Sequence, residues 1–180
     1  MPLLSTWFTV LETIIHSPKV PPLCGLPYPN HPKGCPNYNT NRGDCPPNAP
    51  YITDLLDLSR PVFMVWSEFD LAKHVEDMRK KYNDWTERQL RNVLYWQSRS
   101  KRQLESRARK LMILTGCDTV TYKPEANGVN VYVTASKTGL KLEKIKHLKT
   151  CHHIALIGYS PNSPIFLNNL PETIKNETDS

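Results

Sequence analysis

The chain has 180 residues, of which 39% are apolar and 22% charged. That length buries one substantial core and is short for two, and the balance is that of a globular protein rather than a disordered one. Lys and Arg outnumber Asp and Glu by 6, giving a pI of about 9.1, a net attraction for anions that does not by itself make a nucleic-acid interface.

Residues 1–16 are mostly apolar but carry Glu12 and no leading basic residue, so a short docked helix is expected rather than a secretion signal. No run reaches the ~18 apolar residues of a spanning helix, and no membrane contact is expected. Five cysteines without a secretion signal fit a reducing compartment, where clustered thiols more often bind metal or do chemistry than pair. The cytoplasm is the expected address.

Residues 17–50 change character, with Gly25, Gly34 and Gly43 set among many prolines and asparagines. Such proline density leaves no room for a helix or a central strand. The segment nevertheless holds Cys24, Cys35 and Cys45, and a loop this long inside a compact chain is usually functional or disordered. A bound metal would order it.

Residues 51–160 are expected to form the core. VFMVWSEFD, from Val62, alternates between turn signals and predicts a strand. Ser67 or Asp70 then caps a helix over Leu71–Lys81, with Leu71, His74, Val75 and Met78 on one face. Asp84 and Glu87 have the spacing of a capping box, opening one helix from Trp85 to Thr115 with Leu90, Leu94, Leu104, Ala108 and Leu111 inward and Gly116 as its stop. Thr119–Tyr122 reads as a strand, Val129–Lys137 as a helix ended by Gly139, and His153–Tyr159 as a last strand. The fold class is α/β or α+β: a single domain with a small central sheet, one long helix and a Pro/Gly-rich N-terminal metal-binding loop. Residues 161–180 are expected to be a loosely attached tail.

Cys24, Cys35 and Cys45 are eleven and ten positions apart, so the CxxC pairs of zinc ribbons and ferredoxins are absent. Two of the three precede proline, and each has a glycine adjacent or two residues away. Proline fixes φ beside the thiolate, and glycine lets the chain turn tightly around a bulky inorganic core. Three thiolates leave a fourth position, closed by the protein in a structural zinc site, or offered to substrate by a catalytic zinc or a 4Fe–4S cluster with one open iron. His31, Cys117 and Cys151, the last followed by His152 and His153, are the candidates for closing it. Cys117 and Cys151 also read as small buried apolar residues.

Two stretches together resemble a family of uncharacterised, predicted metal-binding proteins. One is Cys45-Pro46-Pro47-Asn48-Ala49-Pro50; the other is Pro124-Glu125-Ala126-Asn127-Gly128-Val129-Asn130-Val131, followed by Thr134-Ala135 and Gly139. The resemblance implies metal binding, iron–sulfur in kind, with no established reaction to carry over. Larger relatives in that family carry a second cysteine cluster before the Glu-Ala-Gly stretch; here Thr119–Lys123 hold that place, with Cys117 nearby.

The residues of the second stretch also have their own reading. They form a candidate helix N-terminus, whose free N–H groups attract an anion. Glu125 is there either a general acid or base or a first-turn carboxylate set against the dipole. Asn127, Gly128 and Asn130, with Arg88 and Arg91 from the long helix, are the candidates for holding a small anionic or nucleotide-like substrate. Basic residues interleaved with Tyr95 and Trp96 also admit nucleic-acid contact, although such a face is more often plain solvated surface. The expected function is an iron–sulfur protein that acts on, or passes electrons to, that substrate. The alternative is a non-enzymatic nucleic-acid-binding module stapled by zinc.

Overall fold

Nine consecutive residues, Val62–Asp70 (β2), form a strand buried on both faces from Val62 to Ser67. The computed structural model describes residues 7–28, 31–144 and 148–164. β2 lies between Phe8–Leu11 (β1) and Thr150–Gly158 (β4), and β4 also pairs with Thr119–Thr121 (β3). Every pairing is antiparallel and the order is β1-β2-β4-β3. With its helices this is a mixed single-sheet fold of the α+β kind.

Strand alternation sorts the side chains into two cores. Phe63, Val65, Ala155 and Ile157 face the helix Gln97–Thr115 (α4), where Leu104, Ala108 and Leu111 follow one another at helical spacing. Val62, Met64, Trp66, Ile154 and Leu156 face the other way, against the short helices Ile52–Leu55 (α1) and Val131–Lys137 (α5) and against Leu56 and Val129. Between β2 and α4, the helix Leu71–Lys81 (α2) starts where Asp70 Oδ1 accepts the Lys73 N–H at 2.8 Å. Its inward residues Leu71 and Val75 meet Leu90, Trp96 and Cys151 in a third cluster.

Three expectations change. The apolar N-terminal segment contains a strand, β1, rather than only a docked helix; Phe8 sits opposite Val65 and Leu11 opposite Val62. The helix expected over Trp85–Thr115 is broken into Glu87–Leu90 (α3), a 3-10 turn at Val93–Tyr95, and α4. The break lies at Asn92, whose side chain accepts the Leu94 N–H at 3.1 Å, the local competition by which Asn leaves helices. Leu94 consequently points outward and is 79% exposed, while Leu90 is buried. The capping box belongs to Thr86 and Gln89, not Asp84 and Glu87: Gln89 Oε1 accepts the Thr86 N–H at 2.9 Å and Thr86 Oγ1 accepts the Gln89 N–H at 3.4 Å. Gly116 does end α4, its N–H closing onto the Met112 carbonyl at 2.9 Å. Of the expected tail, residues 165–180 lie outside the described residues.

Ser67 and His153 are opposite one another in the β2–β4 register, and both reach Ser100 of α4. Ser67 Oγ donates to the Ser100 carbonyl at 2.9 Å, and His153 Nδ1 shares a hydrogen bond with Ser100 Oγ at 2.9 Å. This polar bridge fastens the N-terminal part of α4 to the centre of the sheet. Burial, with Lys101 nearby, holds His153 below its ordinary value of 6.5.

Two measurements test this packing. Leu111→Ala, which empties a fully buried position, should cost on the order of 2–5 kcal/mol in urea unfolding, whereas Leu94→Ala should stay within about 0.5 kcal/mol. Because the unfolded chain binds a proton at His153 more readily than the folded one, this residue's contribution is complete above about pH 6.5 and is lost as the pH falls below it. The drop in melting temperature between about pH 7 and about pH 5 should therefore be smaller in His153→Gln than in the parent.

Candidate functional site

The cysteine loop is built from tight turns. A 3-10 turn at Pro21–Gly25 carries Cys24, and Cys45 accepts the N–H groups of Asn48 and Ala49 on its carbonyl at 3.0 and 2.9 Å. The limbs meet where the Cys35 N–H donates to the Cys24 carbonyl at 2.8 Å. Gly34 makes this possible: its φ is +77°, and a β-carbon there would stand 2.6 Å from the backbone of Gly25. Only a residue without Cβ tolerates that approach. Cys24 and Cys35 are thereby neighbours in space although eleven positions apart.

Cys45 is buried, and Cys24 and Cys35 are half-buried. Burial raises the Cys24 thiol, and Cys35, Glu125 and Cys45, in that order, raise it further. These three groups, anionic when deprotonated, thus all bear on Cys24. Lys123 reaches in from outside the loop, its Nζ donating to Cys45 Sγ at 3.3 Å and to Asp44 Oδ2 at 2.5 Å. Burial opposes the Lys123 charge, but the bonds to Asp44 and Cys45 prevail and raise its pKa. Lys123 and then Arg42 hold the Asp44 carboxyl far below the usual carboxylate range. Among the described residues, no three His, Cys, Asp or Glu side chains are gathered tightly enough to hold a single metal ion.

Lys123–Gly128 form a turn fastened to both ends of the loop. Ser17 N–H donates to the Gly128 carbonyl at 2.8 Å, and Asn127 Nδ2 donates to the Pro50 carbonyl at 2.7 Å. Asn127 Oδ1 also accepts from Thr121 Oγ1 at 2.5 Å, tying the turn to β3. Gly128, at φ +92°, lies against the Tyr51 ring where any Cβ would collide. Asn130 caps α5, its Oδ1 accepting the Val133 N–H at 3.2 Å. Three of the residues expected to bind substrate, Asn127, Gly128 and Asn130, are therefore occupied in holding the backbone. α5 begins only at Val131, so Glu125 belongs to the preceding turn and not to a helix's first turn.

Glu125 also lines a recess of about 310 Å³ whose wall includes Trp96, Tyr122, Tyr132, Glu143 and His153. Glu125 is exposed, and the protein atoms around its carboxyl raise its pKa by desolvation, its own backbone N–H working the other way. Tyr132 is raised by burial and by Glu125. Neither Arg88 nor Arg91 lines the recess: Arg88 is exposed on α3, and Arg91 donates to the Leu148 carbonyl at 3.0 Å. No Lys or Arg is among its described lining residues.

The candidate fourth ligands are dispersed. Cys117 packs under α4 with Leu111 and Ala108. Cys151 sits in the cluster with Leu71, Leu90 and Trp96, its thiol pushed up to about 11 by burial and by Glu143. His152 lies 3.3 Å from Glu68, and His31 stacks on Tyr28, whose phenol is raised by burial and then by Cys35 and Cys24. Sequence reasoning overlooked Lys123 and the aromatic wall. Lys123 stands two positions before Glu125, but its contact with Cys45 spans 78 positions and leaves no local pattern.

Comparison with protein-family models, with curated proteins and with solved structures finds no match to this chain.

Gly34→Ala should lower stability by about 1–3 kcal/mol, the range for forcing a side chain into a left-handed, crowded position. Gly43→Ala, with nothing within 4 Å of its added Cβ, should stay within about 0.5 kcal/mol in the same unfolding assay.

Proposed function

We propose that this chain is a metal-binding protein whose Cys24, Cys35 and Cys45 hold an iron–sulfur cluster, 4Fe–4S in type, beside a recess that admits a small substrate or redox partner. The observation that supports the reading is the contact of Cys35 with Cys24, the Cys35 N–H donating to the Cys24 carbonyl at 2.8 Å, in a loop that Gly34 closes on itself. The donor set fits: three thiolates suit soft metal centres, and a cubane spaces its cysteine sulfurs ~6 Å apart, against roughly 3.5–4 Å around one zinc ion. The resemblance of the Cys-Pro-Pro and Glu-Ala-x-Gly stretches to the predicted metal-binding family supports the same reading.

When bound, such a cluster supplies one-electron chemistry, or a Lewis-acidic iron at a position the protein leaves exchangeable. The chain's own residues set the surroundings. Lys123 donates toward the Cys45 sulfur, and hydrogen bonds to cluster sulfurs tune reduction potential. Tyr122 and Tyr132 bring partly exposed aromatic rings to the recess, which suits the nucleotide-like part of the expected substrate. The anionic part has no cationic counterpart among the described lining residues, so we propose a small, ring-bearing and weakly charged molecule.

Anaerobic purification should give a brown protein with broad absorbance near ~400 nm, and Cys→Ser at position 24, 35 or 45 should remove most of the iron and the colour. A colourless protein with stoichiometric zinc would replace the cluster by the zinc-stapled alternative. Full metal retention in all three variants would overturn the ligand assignment itself.

A further inference from the structure

We infer that the outer surface formed by the end of α2, α3 and the turn after it binds single-stranded nucleic acid, whose bases extend a ladder of three aromatic rings while its phosphates meet the surrounding Lys and Arg side chains. This surface is independent of whatever the cysteine loop holds.

The ladder begins where α2 ends. Tyr82 and Trp85 lie nearly parallel, their ring centroids 4.1 Å apart and their planes 7° from one another, and the Trp85 N–H donates to the Tyr82 carbonyl at 3.2 Å. Trp85 also stacks on Tyr95, at 5.2 Å and 27°. Because Trp85 packs against the core cluster of Leu71, Val75 and Leu90, the ladder is anchored to the body of the protein. The break at Asn92 sets its other end. It turns Val93, Leu94 and Tyr95 outward, 45%, 79% and 54% exposed, and sends Trp96 inward at 6%. Three adjacent exposed apolar side chains with a stacked ring among them form the kind of contiguous patch that marks an interaction site, and Tyr95 is the step on which a base would stack.

The charge of the protein is gathered in the same stretch. Residues 79–102 contain eight Lys and Arg against two Asp and Glu, a net +6 that equals the net charge of the whole chain. The rest of the chain is therefore neutral in sum, and the attraction for anions resides here. Arg79 and Arg91 share Glu87, and Lys80 pairs with Glu76. Among the described residues, Lys81, Arg88, Arg99, Lys101 and Arg102 form no ion pair, and all five are exposed. Lys81 Nζ stands 5.2 Å from the centroid of the Tyr82 ring, so one of these cations sits at the ladder itself.

Cations alone would serve any polyanion, and exposed apolar groups alone any apolar surface. Rings already set face to face beside a basic track match a strand whose bases are unpaired, since every base has a π-face and stacking of this kind tolerates any sequence. In a duplex those faces are covered by neighbouring bases. An anionic bilayer has no flat group to continue the stack and would instead take up Val93 and Leu94 by insertion. The ladder exists in the free protein, so the arrival of a base adds little ordering cost.

The test is fluorescence anisotropy of the full purified chain with fluorescein-labelled DNA and RNA strands of about 20 nucleotides and one mixed sequence, and with the DNA as a duplex. A single strand should bind more tightly than the duplex, and the tighter of DNA and RNA identifies the strand recognised. Tyr95→Ala should weaken binding at least about fivefold, the lower end of the stacking range, while Tyr95→Phe, which keeps the ring, should stay within about twofold. Arg88→Ala should lower the slope of log affinity against log salt by about 1. Ile113→Ala, which removes a 77% exposed apolar side chain toward the other end of α4, should change nothing. If Tyr95→Ala does not fold, the affinity and salt slope of Arg88→Ala decide alone. Equal affinity for duplex and single strand, or parental binding by Tyr95→Ala, overturns the inference. So does absence of oligonucleotide binding, and co-sedimentation of the chain with phosphatidylglycerol and phosphatidylcholine vesicles would then assign this surface to a membrane instead.

Discussion

Eight residue pairs join β2 to β4, from Phe63 opposite Ile157 to Asp70 opposite Thr150, and the other elements are arranged around that ladder. Because side chains alternate along both strands, one pairing register fixes two cores at once, and a slip by one residue would turn each core's side chains to the opposite face. α4 lies against one face through Leu104, Ala108 and Leu111; Ile52, Leu56, Val129 and Val131 lie against the other. The bridge from Ser67 and His153 to Ser100 adds directional bonding to what packing leaves loosely specified.

The candidate site hangs from this frame by one residue more than any other. Asn127 joins the end of the cysteine loop at Pro50 to β3 at Thr121, and its carbonyl receives the first amide of α1. It is 4% exposed, so each of these bonds forms away from competing water, where leaving a partner unmatched costs about 1–3 kcal/mol. The loop itself has few apolar residues with which to pack; Leu23 and Leu26 remain exposed. Polar attachment therefore does for the loop what hydrophobic burial does for the sheet.

Much of the sheet and its helices was legible because periodicity speaks for itself in long elements. β2, α2 with its Asp70 cap, and the inward row of α4 follow from alternation, capping chemistry and helical spacing. The break at Asn92 was hidden because a single side-chain-to-backbone bond outweighed a stripe of leucines, and β1 because four residues, three of them apolar, carry too little pattern to separate strand from helix. In the candidate site, the cysteines and Glu125 could be singled out by residue type. Asn127, Gly128 and Asn130 looked like binding residues for the reasons that suit them to scaffolding: an amide that donates and accepts, a glycine that admits close approach, and an Asn that caps. Residue type records capability, whereas the choice between scaffold and ligand contact is made by partners far away in sequence.

The contact of Gly34 with the Gly25 backbone has a thermodynamic meaning beyond geometry. Ordering a flexible chain costs roughly 1–2 kcal/mol of entropy per residue, and many metal-binding loops meet that cost only when the ion arrives. In this loop the crossing of the two limbs and the turn at Cys45 meet it during folding, so the three cysteines are set in place by backbone contacts. A centre of the proposed kind would then draw little heat-capacity change from the loop, and its affinity would be governed by donor atoms rather than by chain collapse.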